Sequence, residues 1–153
     1  MKKRPSLKKC RNLAIELCNK SPKLINQNFW FYFPNEELIW IGNDSLMKEE
    51  EKAITLQYFQ KLTNSNFYIF TYIFLNELGH YNSYNIEYAT GKEIQDNNDY
   101  YFIVTKALTD GLISFERAIE LYYQEDSELE ANNFLIQTIE NYYDLISNFD
   151  NNL

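Results

Sequence analysis

A chain of 153 residues, 45% apolar and 17% aromatic, is long enough for one domain with its own core and too hydrophobic for a disordered polymer. Its formal charge of -8 argues against nucleic acid as a partner, because from Glu93 onward 13 acidic residues face only Lys106 and Arg117. Six of the 14 basic residues fall in the first 11 positions, which reads as a solvated helix end. No run approaches the roughly 18 apolar residues of a membrane span, and no apolar stretch follows the basic start as in a secretory signal. Cys10 and Cys18, about 12 Å apart if helical, are out of disulfide reach and read as apolar fillers in a reducing compartment. A cytoplasmic protein is the expectation.

Pro5 and Ser6 predict a helix start, and Leu7, Cys10, Ala14, Leu17 and Cys18 give it an apolar stripe, so a helix is expected over about 6–20. Pro22 then stops it. Two aromatic and branched runs, NFWFYF and ELIWI, flank Pro34 and Asn35 and predict a β-hairpin over about 28–42. A second helix is expected over 48–62, opening on the solvated run Glu49, Glu50, Glu51. The stretch 67–81, FYIFTYIFLNELGHY, is too apolar for a surface helix and predicts a buried central one. Residues 82–98 are polar and predict little regular structure. Helices over 100–108 and 112–123, split at Asp110 and Gly111, precede a long final helix over about 127–149, with Glu125 and Asp126 as a solvated start. The Tyr100–Tyr101, Tyr122–Tyr123 and Tyr142–Tyr143 pairs read as core and rim packing. No repeat or linker appears, so 1–153 reads as one α+β domain, mostly helical, with a small hairpin or sheet beside a central buried helix.

The chemistry-bearing candidates sit at the end of that central stretch, which carries the only histidine, His80. On a helix, residues four apart share a face, so His-Glu-x-x-His grips one zinc ion and places the glutamate on its bound water. Asn76-Glu77-Leu78-Gly79-His80 has this spacing with asparagine in the first ligand position. Some fifty residues on, Glu128-Leu129-Glu130-Ala131-Asn132-Asn133-Phe134 contains a Glu-Ala-Asn-x-Phe segment.

Together these stretches resemble small gluzincin-type zinc metallopeptidases of the ImmA/IrrE-like group. The resemblance implies a zincin-like fold whose sheet lies beside the active-site helix. It implies Glu77 as general base and His80 and Glu130 as zinc ligands, with Asn76 in the place of the missing histidine. Helical winding points elsewhere for the third ligand, because it puts Glu128 near the centre of the last helix's apolar face and Glu130 to one side. Both glutamates stay open at this point.

A carboxamide oxygen is a poor zinc ligand beside imidazole, and no other histidine replaces it. The expectation is therefore a metallopeptidase-like protein with a degenerate site, holding zinc weakly or not at all. It would act by binding a protein or peptide partner or by weak residual metal-dependent hydrolysis. Two alternatives compete. In the first, Gly79 ends the helix, His80 lies on a loop and Glu77 is an exposed last-turn residue. In the second, the acidic half marks an immunity- or inhibitor-type helical protein that neutralises a basic partner without catalysis. Convergence of Asn76, His80 and one of Glu128 or Glu130 within metal-ligand reach separates the metallopeptidase-like reading from this acidic interaction protein.

Overall fold

The computed structural model describes residues 3–83 and 91–153, and these form a mostly helical α+β fold with a three-stranded sheet. Helix α1, Leu7–Cys18, starts where Ser6 accepts the Lys9 N–H (3.2 Å) and ends at Asn19, which takes the left-handed conformation at φ 66°. It buries Cys10, Leu13 and Ala14.

Strands β2 (Phe31–Phe33) and β3 (Leu38–Ile41) are the expected hairpin, paired Phe31 with Trp40 and Phe33 with Leu38. A further strand, β1 (Lys23–Asn26), pairs parallel to β3 and makes β3 central. One sheet face turns Leu24, Ile39 and Ile41 into the core. The other carries Phe31, Phe33 and Trp40, whose rings touch one another, and a half-exposed Ile25. Alternate burial of Leu38–Ile41 is what a strand with one wet face produces.

Helix α2 (Glu49–Thr63) opens with three glutamates in its first turn, where the helix dipole favours negative charge. Helix α3 (Ile69–Ser83) is the central helix. It buries residues around its whole circumference, from Ile69 and Phe70 to Leu78 and Tyr81, because it is wrapped by the sheet and four other helices. Asp150, far away in sequence, accepts the Tyr68 N–H (2.8 Å) and the Thr71 hydroxyl (2.7 Å), so its carboxylate sits at the N-terminal end of α3.

Helix α4 (Gly91–Thr109) begins well before the expected position near residue 100, in a run with few apolar residues for periodicity to register. The rest of the expected irregular stretch, 84–90, lies outside the described residues. Gly111, at φ 74°, ends the α4 region as anticipated, and Ser114 caps α5 (Phe115–Tyr122).

The long final helix expected over 127–149 is two helices, α6 (Asp126–Asn141) and α7 (Tyr143–Asn151), broken at Tyr142. The break turns Ile146, Phe149 and Asp150 inward, and it is what delivers Asp150 to α3. Among the described residues no helix is long and apolar enough to cross a membrane.

Candidate functional site

The site is built where α3 and α6 cross, the most extensive helix contact among the described residues. Gly79 makes that crossing possible. A Cβ on it would lie 2.5 Å from the Ala131 carbonyl oxygen and 2.8 Å from the Ala131 Cα, so the two backbones touch there. Gly79 is therefore inside α3, not a helix stop, and His80 is on the helix.

This close approach brings together residues from both motifs. Asn76 donates from Nδ2 to Glu128 Oε2 (3.2 Å) and to Asn132 Oδ1 (2.8 Å), and His80 Nε2 lies 2.9 Å from Glu128 Oε1. Both partners of Asn76 are acceptors, so its amide nitrogen is the atom that must face them. Tyr101 adds its hydroxyl to Glu128 Oε1 at 3.3 Å. Asn76, Glu128 and Asn132 are 5%, 3% and 3% exposed, a depth at which polar groups must satisfy one another. They do so through the Glu128 carboxylate, which three donors surround. Glu130 is exposed on α6, so the glutamate that meets His80 is the one helical winding placed on the apolar face.

Glu125 was anticipated as a solvated helix start. It is instead buried as the N-cap of α6, accepting the N–H groups of Ser127 (3.0 Å) and Glu128 (3.2 Å). The Ser127 hydroxyl and the Tyr101 hydroxyl (2.9 Å) also donate to it. Tyr101 thus bridges two carboxylates. Burial and the neighbouring Glu128 charge push its pKa up, holding it as a donor. Composition offered no sign of this, since the signal is a capping geometry between segments 24 residues apart.

His80 is caught between opposing effects. Desolvation disfavours its charged form, but the hydrogen bond and charge of Glu128, with Glu77 and Glu125 nearby, leave its pKa above the ordinary value. The ring of Tyr32, on β2, lies parallel to the imidazole with centroids 6.5 Å apart. Glu77 has a different setting. It is half-buried and lines a cleft of about 610 Å³ between α3, α5 and the loops that flank the hairpin. Burial pushes its carboxyl up to about 7, against the opposing pull of His80 and with help from the Glu128 charge.

As they stand, these side chains do not fit a zinc ion. Tetrahedral zinc holds ligand atoms roughly 3.4 Å apart around a centre about 2.1 Å from each. Here His80 and Glu128 are hydrogen-bonded directly at 2.9 Å, and Asn76 presents a donor nitrogen to the same carboxylate. Among the described residues no group of three or more His, Cys, Asp or Glu side chains is placed to hold a metal ion.

The molecule is thus an α+β chain, mostly helical, whose polar centre is a hydrogen-bonded seam between two helices. No family model, curated protein or solved structure matches it.

Proposed function

We propose that this chain is a metallopeptidase-like protein whose metal position has become a hydrogen-bonded seam, and that it acts by binding a protein or peptide partner. The observation that carries the reading is the convergence of Asn76, His80 and Glu128, at the ligand spacing of His-Glu-x-x-His and from the helix of the second motif. The sheet beside α3, with Tyr32 of β2 against His80, supports the same scaffold.

In this reading the asparagine exchanges a zinc-binding lone pair for a donor, and Glu128 turns from ligand to acceptor. Glu77, the residue in the general-base position, then has no metal-bound water to deprotonate. What remains usable is the cleft beside it, of the size that ligand sites have.

The test is zinc titration of the purified protein and of Asn76→His by calorimetry. The wild type should take up no zinc at micromolar concentration, and Asn76→His should bind about one equivalent. An Asn76→His protein that folds and still ignores zinc would sink the scaffold reading. Micromolar zinc in the wild type, with peptide hydrolysis lost on chelation, would replace partner binding with catalysis.

A further inference from the structure

We propose that the cleft above Glu77 is a receptor for an arginine side chain presented by an apolar segment of a protein partner. This names the partner chemistry of the binding role proposed above and rests on it.

The most unusual residue of the cleft lining is Glu77. Among the described residues Glu77 is the only charged one lining it, and its carboxyl finds no hydrogen-bond partner there. Its neighbour Asn76 cannot help, because both donor contacts of that amide go to Glu128 and Asn132. His80, one turn further along α3, acts on Glu77 through its charge but is committed to Glu128, and no described lining residue is a cation, so the carboxyl is complementary to a cation from outside.

The walls select which cation. Trp30, Phe115, Tyr122 and Tyr123 line the cleft, and aromatic rings in a lining favour a cation that can stack or pack on them. A guanidinium suits this setting better than an ammonium. It is planar, stacks on rings, is weakly hydrated, and grips a carboxylate with two parallel N–H bonds.

The volume speaks for a segment rather than a free amino acid. About 610 Å³ exceeds what one arginine side chain fills, leaving room for apolar neighbours. At the mouth Phe29 is 67% exposed and its ring reaches Trp40 at 6.3 Å, which continues the apolar surface onto Phe31 of the outer sheet face. The net charge of -8 steers a basic segment toward the protein and repels a second copy of it.

The probes are acetyl-Phe-Arg-Leu-amide and the same peptide with citrulline, which keeps the shape and hydrogen-bonding fork but not the charge. Binding to the full-length protein is followed by calorimetry. The arginine peptide should bind about tenfold more tightly than the citrulline peptide, the scale of a charged hydrogen-bonded pair. Glu77→Gln, nearly isosteric, should abolish that preference while far-ultraviolet circular dichroism stays unchanged. Phe115→Ala, at the wall, should weaken both peptides alike and serves if Glu77→Gln does not fold. Equal affinity of the two peptides for the wild type, no binding of either, or a tenfold preference surviving in Glu77→Gln each overturns the proposal. Its failure is separable from that of the scaffold reading, because zinc uptake by Asn76→His is measured without any peptide.

Discussion

Glu128 and Glu77 are two carboxyls packed around the same turn of α3, and their surroundings are opposite. Glu128 is deeper, yet Asn76, His80 and Tyr101 all donate to it. Glu77 is shallower, yet no described residue donates to it, and burial pushes its carboxyl up to about 7. At Glu77 burial acts with no described donor to offset it, whereas three donors meet the Glu128 carboxylate. The Glu128 seam is complete in itself and serves to hold two helices in register. Glu77 is incomplete, and in folded proteins such groups concentrate where something else binds.

The contrast can be broken most severely at the point that creates the seam. Gly79→Ala puts a methyl group 2.5 Å from a backbone oxygen that cannot swing aside. We expect a loss of about 2–4 kcal/mol in denaturant unfolding, larger than the roughly 1 kcal/mol that alanine gains over glycine in a helix. A variant as stable as the wild type would mean that α3 and α6 do not touch there.

Glu128→Gln tests the seam itself. Glutamine keeps the volume but offers one acceptor oxygen, and its amide nitrogen must face Asn76, His80 or Tyr101, leaving donors unmatched. A loss of about 1–3 kcal/mol is expected. The pH dependence should change with it. His80 has a folded pKa above its ordinary 6.5, so its contribution is fully present below that value and fades as pH rises through the folded pKa. Unfolding measured from pH 6 upward should show this decline in the wild type and a flatter profile in Glu128→Gln. Identical profiles would mean that the pair is not formed.

How much of this was legible beforehand follows from the range of the interactions. Helix α1, the hairpin and the buried α3 follow local patterns, stripes and turn residues, and a reader of the sequence can find them. Glu128 was legible as well, because a glutamate at the centre of an apolar helix face needs a partner. Strand β1 was not, since only Leu24 and Ile25 mark it and its pairing with β3 skips a strand. The break at Tyr142 was not either. Nothing in the helical pattern stops there; what the break accomplishes is a contact between Asp150 and Tyr68, 82 residues apart. The buried cap at Glu125 escaped for the same reason, because its tyrosine partner comes from another helix.

Glu77→Gln is the gentlest probe and bears on the other half of the comparison. A carboxyl raised from 4.5 to about 7 in the folded protein binds its proton more tightly there than in the unfolded chain. Stability from this group is therefore present below about pH 4.5 and lost as pH rises through 7, the reverse of a salt-bridged carboxylate. This window lies mostly below that of His80, so the two can be told apart. Glutamine cannot ionise, so Glu77→Gln should match the wild type at pH 4 and exceed it by about 1–3 kcal/mol at pH 8. Equal stability at pH 8 would show that the Glu77 charge is already compensated within the protein. A gain would show that the native chain retains a charge unfavourable to its own folding, which a partner's cation would relieve, as residues kept for binding often do.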